Sequence, residues 1–218
     1  LLTSIRRLRD AARLVVDDDG WGTHLLMLRP SLVLAAKAAW IIRPHPPEVR
    51  VKRTLGVLLS DQRRGAKAMR DAVSQGAPPE FEQVARKFEK SRNQLADLVS
   101  LAPVDPPGDQ TMIRELGADV DRYYGTEYAS SDMQLLWNVS SSLAHGEKWF
   151  SLLSGGLQRK PFAAIVTTRS LDIVCSAINT TSLRIVELVV AIGDDAPSHH
   201  QLAIVAGPQL DTGQWLAH

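Results

Sequence analysis

The chain has 218 residues, 44% of them hydrophobic, and carries 25 basic and 24 acidic side chains. This length is enough for one domain with its own core, and a single cysteine excludes a disulfide framework within the chain. The net charge of +1 conceals an asymmetry, because residues 1–100 hold 18 basic and 11 acidic side chains, whereas residues 101–218 hold 7 and 13. The asymmetry predicts either a basic binding face or two halves of one fold that attract each other.

Hydrophobic periodicity predicts two helices before the first proline-rich corner of the chain. The first covers residues 4–16 and places apolar side chains at three-to-four-residue spacing. The second covers residues 23–43 and is apolar almost all round, which is typical of the central helix of a bundle. Pro30 predicts either a kink in this second helix or a restart.

Two longer amphipathic segments follow. The pattern predicts a helix over residues 48–74, with an apolar stripe on one side and most of its basic residues on the other, and a helix over residues 80–100. Proline and glycine then predict a loop over residues 103–109, where the charge balance reverses. If the chain forms two domains, the boundary is expected in this loop.

Helical periodicity also dominates the second half. The predicted elements are a helix over 111–124, a helix from Ser131 or Asp132 to about residue 146, one or two helical turns within 147–153, a short extended run over 162–166, a long helix over 169–192 and a short helix over 198–205. Strands do not alternate with helices. The sequence therefore predicts an all-α bundle of roughly six to eight helices that forms one domain over residues 1–218.

The two longest apolar stretches of the chain are interrupted by charged residues, which distinguishes core helices from membrane spans. Residues 25–42 contain Arg29 and Lys37, and residues 173–192 contain Arg184. Charges near the centre of a membrane span are costly, so these stretches predict core helices, a soluble cytoplasmic protein and no membrane partner. The chain does not begin with methionine, and we expect that its native start is missing.

Common cofactor and metal motifs are absent from the sequence. It has no phosphate loop, no glycine-rich dinucleotide turn and no nucleophile elbow, so no cofactor is predicted. One cysteine and six histidines supply no spaced set of zinc ligands, and no metal is predicted. Cys175, on an apolar helix, is predicted to be a small buried hydrophobe, and Trp40 and Trp137 are predicted to anchor the core.

The segment before residue 146 carries the strongest candidate for catalysis. Asn138, Ser141 and His145 are three, four and seven residues apart, which places them on one helical stripe opposite Leu136 and Leu143. His145 is a candidate general acid or base, with Asn138 and Ser141 orienting a substrate. The structural alternative is that small serines let a neighbouring helix approach while His145 caps its own helix.

A late helix that ends in histidine, within a helical bundle, resembles the HEPN superfamily. The resemblance covers about residues 132–192, and His145 would match the family histidine. It implies a metal-independent ribonuclease or toxin that works as a homodimer. In the family motif an arginine precedes that histidine with four to six residues between them, and at these positions this chain has Asn138, Val139 and Ser140. The group that would stabilise phosphate charge is therefore missing from the motif.

The whole chain is similar to a group of helical proteins from high-GC bacteria with no established activity. The shared features are a tryptophan followed by a proline corner at residues 40–44, a basic helix over residues 50–70 and a Ser-x-x-Ala-His-Gly segment at residues 141–146. This resemblance implies a bacterial origin and no particular function.

The basic helix is a second candidate site, for nucleic acid. Clustered arginine and lysine side chains on one helical face can follow a row of phosphates. The same pattern is typical of the solvated face of any amphipathic helix. The candidate phosphate-binding residues are Lys52, Arg53, Arg63, Arg64, Lys67 and Arg70.

Together these features favour a non-catalytic helical binding or interaction module, because no catalytic set is complete. The alternatives are a HEPN-like ribonuclease or toxin that uses His145, and nucleic-acid binding through the basic helix at residues 50–70. The expected partners are a second copy of the chain and RNA or another anion.

Overall fold

The computed structural model describes residues 1–16, 23–43, 46–97, 102–145 and 160–194. Seven helices and no strand lie within these ranges, which confirms the all-α multi-helix bundle. In chain order they are α1 (Leu2–Val16), α2 (Thr23–Ile42), α3 (Pro47–Ser74), α4 (Glu80–Asp97), α5 (Asp109–Tyr124), α6 (Ala129–His145) and α7 (Lys160–Asp194).

Helix α2 is the centre of the bundle, as its apolar sequence predicts. It packs against α1, α3, α5 and α6. Leu25, Leu28 and Leu32 are fully buried in the core, and Trp40 is 7% exposed, which confirms its prediction as a core anchor. The helix continues through Pro30, so the predicted restart is wrong. Packing on several sides outweighs the hydrogen bond that a proline removes.

A reciprocal pair of buried serines joins α1 to α2. The Ser4 hydroxyl donates to the Ser31 carbonyl at 2.7 Å, and the Ser31 hydroxyl donates to the Ser4 carbonyl at 3.1 Å. Both residues are fully buried, so each polar group satisfies the other. Small side chains at this crossing let the helix backbones approach closely, and the two bonds fix the register of α1 on α2.

Two glycines of the described residues lie where another backbone segment approaches closely. A Cβ atom at Gly56 of α3 would lie 1.8 Å from the Val104 carbonyl oxygen, and the Val104 amide donates to the Lys52 carbonyl at 3.1 Å. A Cβ atom at Gly117 of α5 would lie 2.4 Å from the Ser130 Cα atom at the start of α6. Glycine at these two positions lets the loop before α5 lie against α3 and lets α5 lie against α6.

The turn between α5 and α6 is fixed by the carboxylate of Asp121. It accepts hydrogen bonds from the Thr126 hydroxyl at 2.7 Å, the Ala129 amide at 2.8 Å and the Ser130 amide at 3.1 Å. Burial alone would raise the pKa of Asp121, but these donors hold it below its ordinary value. The carboxylate caps the first amides of α6, so this helix begins at Ala129, earlier than predicted.

All three tyrosines of the chain lie at this turn. Tyr123, Tyr124 and Tyr128 are 52%, 46% and 49% exposed. The rings of Tyr123 and Tyr124 meet edge to face with centroids 5.0 Å apart, and the Arg169 guanidinium lies 4.9 Å from the centre of the Tyr128 ring. The turn therefore presents a small aromatic surface to solvent.

Helix α7 corrects two predictions. Residues 162–166, predicted to be extended, are helical, since Ala163 and Ala164 favour a helix and the apolar pattern continues into Val174 and Ile178. Cys175, predicted to be buried, is exposed. The apolar residues of α7 occur on all sides of the helix, but only the side with Val174 and Ile178 packs into the core.

The chain divides into two compact units, Leu1–Arg184 and Ile185–His218. The described part of the second unit is the end of α7, where Val186, Val189 and Val190 are 57%, 62% and 55% exposed. The predicted turns at 147–153 and the predicted short helix at 198–205 lie outside the described residues. One domain over residues 1–218 stays a prediction.

Two helical segments are long and apolar enough to cross a membrane by length and composition alone. They are Thr23–Ile42 and Val166–Ile192, with 44% and 33% of the most apolar window buried inside the fold. Core helices of soluble proteins have the same properties. Cytoplasmic localisation stays a prediction.

Candidate functional site

The stripe predicted on α6 lies on the outer side of that helix. Asn138 and His145 are exposed and Ser141 is half-buried. His145 is the last residue of α6, as predicted. Among the described residues, no hydrogen bond or ion pair joins these three side chains to one another or to a carboxylate. Their catalytic role stays a prediction.

The opposite face of α6 enters the core. Met133 is fully buried and Leu136 is 4% exposed, and Leu143 packs against the same cluster. Ser140 is fully buried and its hydroxyl donates to the Leu136 carbonyl of its own helix at 2.6 Å. The hydroxyl of this buried serine is therefore satisfied within its own helix, and the interpretation that small serines admit a neighbouring helix stays a prediction.

A cavity of about 410 Å³ lies beside α2, with walls from α1, α6 and the start of α5. This volume is in the range of small-molecule sites. Apolar side chains make up much of the wall, and polar groups come from a few positions. The lining residues include Arg7, Leu26, Arg29, Val33, Leu34, Asp109, Trp137 and Ala144.

Two arginines give this cavity its charge. The guanidinium of Arg29 lies 4.3 Å from the centre of the Trp137 ring, which positions it by a cation–π contact. Neither Arg29 nor Arg7 forms an ion pair with a carboxylate in the described part of the chain. One carboxylate, that of Asp109, also lines the cavity. Its buried Oδ1 atom accepts no hydrogen bond among the described residues, and Arg64 Nη1 lies 3.5 Å from it as an ion-pair partner. The cavity therefore presents positive charge beside an aromatic ring.

The cavity borders the predicted stripe on α6. Trp137 and Ala144 line it, and Ser141 follows the first by four residues and precedes the second by three. Side chains at these spacings share one helical face. Asn138 and His145 each lie one residue further along, about 100° around the helix. The spacing of residues in α6 indicated a helix that borders the cavity, but nothing in that spacing indicated that Arg7, Arg29 and Trp137 line it.

The basic face of α3 is largely paired with acidic residues. The closest contacts are Arg63 with Asp105 at 4.0 Å, Arg64 with Asp109 at 3.5 Å, Lys67 with Asp71 at 2.6 Å and Arg70 with Glu89 at 2.7 Å. The pairs to Asp105 and Asp109 join the basic first half to the acidic second half, as the interpretation of complementary halves predicts. Nucleic-acid binding by this face stays a prediction.

The other two basic candidates lie nearer the start of α3. Lys52 is half-buried, and its carbonyl holds the loop before α5. Arg53 points into the fold, where its Nη1 atom donates to the Trp40 carbonyl at 2.7 Å and its guanidinium lies 4.9 Å from the centre of the Trp40 ring. The six candidates therefore do not form one uniform surface.

A buried carboxylate outside both candidate sites collects three arginines. Asp119 of α5 is 5% exposed. Arg184 Nη1 and Arg43 Nη2 lie 2.9 Å and 3.3 Å from its Oδ2 atom, and Arg122 Nη1 lies 3.2 Å from its Oδ1 atom. Arg43 also donates to Glu115 at 2.5 Å. This cluster, which we call the Asp119 cluster, joins α2, α5 and α7.

Within the described ranges, no group of three or more histidine, cysteine, aspartate or glutamate side chains is arranged to hold a metal ion. Comparison of the chain with family models, with curated proteins and with solved structures gives no match. The HEPN resemblance therefore stays an expectation that the residues of α6 carry.

Proposed function

We propose that this protein is a non-catalytic binding module that takes an organic anion into the cavity beside α2. The observation that carries the proposal is that Arg7 and Arg29 line an otherwise largely apolar cavity without a carboxylate partner among the described residues. Such a site suits a ligand with an aromatic or aliphatic body and one acidic group. The apolar part of the ligand would stack on the ring of Trp137, and the two guanidinium groups would donate charge-assisted hydrogen bonds to its acidic group.

Fluorescence titration with 1-anilinonaphthalene-8-sulfonate tests this site, since the probe has an aromatic body and a sulfonate. We expect Arg29→Gln to raise the dissociation constant by about tenfold, because it removes a charge-assisted donor. Ala144→Trp, which fills the cavity without changing its charge, is expected to have a similar effect. Arg9→Gln is the matched control, because Arg9 is exposed on α1, does not line the cavity and should leave binding unchanged.

The proposal fails if the wild-type protein does not bind the probe, or if Arg29→Gln and Ala144→Trp bind it as tightly as Arg9→Gln. Circular dichroism of each variant, matched to the wild type, ensures that lost binding does not reflect lost fold.

A second candidate function is a metal-independent ribonuclease or toxin that uses His145. The observation that favours it is that Arg7 and Arg29 reach the cavity beside α6 from α1 and α2. A guanidinium absent from the α6 sequence is thus supplied by neighbouring helices. His145 does not line the cavity but directly follows Ala144, which does, and the proposal requires a substrate that extends from the arginines to His145, where the proton is transferred.

This activity is tested by incubating the protein with single-stranded RNA in excess EDTA. We expect His145→Ala to reduce the cleavage rate by about 10²–10⁴-fold, the range typical of general acid–base groups. The substitution is at an exposed helix end, so the fold should be unaffected. No cleavage by the wild type, or equal cleavage by both proteins, would rule the activity out.

A further inference from the structure

The Asp119 cluster holds more positive than negative charge. Arg43, Arg122 and Arg184 contact the carboxylates of Asp119 and Glu115. The guanidinium of Arg53 adds a fourth positive charge close to Arg43. Burial first, and then the charge of Arg43, hold the pKa of Arg53 below its ordinary value. Three guanidinium groups therefore contact the two carboxylates, and Arg53, which is held by the Trp40 carbonyl, adds its charge beside Arg43.

Part of this charge is held away from bulk water. The side chains of Arg43 and Arg184 are 25% and 23% exposed and that of Asp119 is 5% exposed, whereas Glu115 is 34% exposed and the charge of Arg122, at 72% exposure, is screened by solvent. Like charges at this depth repel each other more strongly than on an open surface, because the local dielectric constant is lower. Among the less exposed groups, Arg43, Arg53 and Arg184 outnumber the two carboxylates by one positive charge, which an added anion would compensate.

The arginines also have donors to spare. A guanidinium carries five N–H groups. In the described part of the chain, Arg184 and Arg122 each meet Asp119 through Nη1 alone, and Arg53 uses Nη1 for the Trp40 carbonyl. The incomplete burial of Arg43 and Arg184 leaves a path from solvent to the cluster.

We propose that the Asp119 cluster binds a phosphate-type oxyanion, either free or as the phosphate of an ester. Tetrahedral oxyanions accept several charge-assisted hydrogen bonds at once, and converging guanidinium groups are the side chains best suited to supply them. The bound anion bridges the end of α2, the start of α3 and the first unit's part of α7, and it compensates the excess charge. This site is separate from the cavity beside α2.

Inorganic phosphate is the first probe, used at low millimolar concentration with ionic strength held constant by sodium chloride. Phosphate at ten times its dissociation constant should raise the wild-type melting temperature by about 3–6 °C. Line broadening of the phosphate ³¹P resonance gives binding directly. Phenyl phosphate is the second probe, and tighter binding than that of inorganic phosphate would identify an ester as the preferred form.

Two variants make the test specific. Arg184→Gln removes one contact to Asp119, and Arg53→Gln lowers the excess charge without touching Asp119. Each should weaken phosphate binding about tenfold or more. Arg86→Gln is the control, because Arg86 belongs to neither candidate site, is paired with Glu82 on the outside of α4 and should keep the full phosphate response.

A merely structural role for the cluster would lower the melting temperature of Arg184→Gln but leave its phosphate response intact. That result, or a wild-type protein that responds to phosphate no more than to chloride, would overturn the proposal. Because phosphate stabilises many proteins without a site, a response that persists in Arg53→Gln would also count against it.

Discussion

Replacement of Asp119 by asparagine is expected to lower the free energy of unfolding by about 3–5 kcal/mol, the range for removing one partner of a buried ion pair. The side chain keeps its volume, but Arg43, Arg122 and Arg184 lose the carboxylate that they share. Urea denaturation followed by circular dichroism measures the change. The effect should be among the largest of any single substitution that conserves shape.

Asp71→Asn is the matched control for this change. Asp71 also accepts from a cation, Lys67 at 2.6 Å, but its side chain is 52% exposed and the pair spans one turn of α3. Exposed pairs of this kind contribute about 0.3–0.5 kcal/mol. Equal losses in the two variants would show that the Asp119 cluster is no more important than a surface ion pair.

Alanine at Gly56 or at Gly117 is expected to destabilise the fold by about 1–3 kcal/mol or more. In an isolated helix the same change would stabilise by about 1 kcal/mol, because glycine is the poorer helix former. Here the added methyl group would meet the Val104 carbonyl oxygen at 1.8 Å or the Ser130 Cα atom at 2.4 Å. Those are backbone atoms, which cannot move aside by a change of rotamer.

Gly108→Ala separates close packing from backbone effects. Gly108 has a φ of −58°, which any residue adopts, and no neighbouring atom lies within 4 Å of a Cβ built there. Because Gly108 is the N-cap of α5, where glycine is preferred to alanine, thermal unfolding should show a loss of no more than about 1 kcal/mol. If all three alanine variants have the same melting temperature, the close approaches at Gly56 and Gly117 do not require glycine.

Much of the helical architecture could be predicted because hydrophobic periodicity is a local signal. Helix α3 differs from its predicted range by one residue at its start, and α2 has the predicted central position. The start of α6 could not be placed from its own residues, because the group that caps it, Asp121, belongs to α5. Contacts between distant residues leave no local pattern to read.

The candidate sites were harder to predict for the same reason. The spacing of Asn138, Ser141 and His145 is visible within one helix, whereas the cavity beside it joins Arg7, Arg29 and residues of two further elements. One signal was available. Charged residues that interrupt an apolar helix must find a partner or reach solvent, since unpaired burial is costly.

Three such interruptions have specific partners in the structure. Lys37 meets Asp61 at 2.6 Å, Arg29 lies over Trp137 and Arg184 meets Asp119. In the sequence, these three charged residues indicated only that the apolar stretches do not span a membrane. Treated as residues in need of a partner, they would have indicated both the cavity and the Asp119 cluster.

The location of every tyrosine at the α5–α6 turn has a spectroscopic consequence. Tyrosine absorbance, second-derivative spectra and reaction with tetranitromethane all report on Tyr123, Tyr124 and Tyr128 together, and thus on a single turn. Arg122, which contacts Asp119, directly precedes Tyr123 in the sequence. Tyrosine spectra therefore monitor, without any added label, a turn that lies next in sequence to the Asp119 cluster.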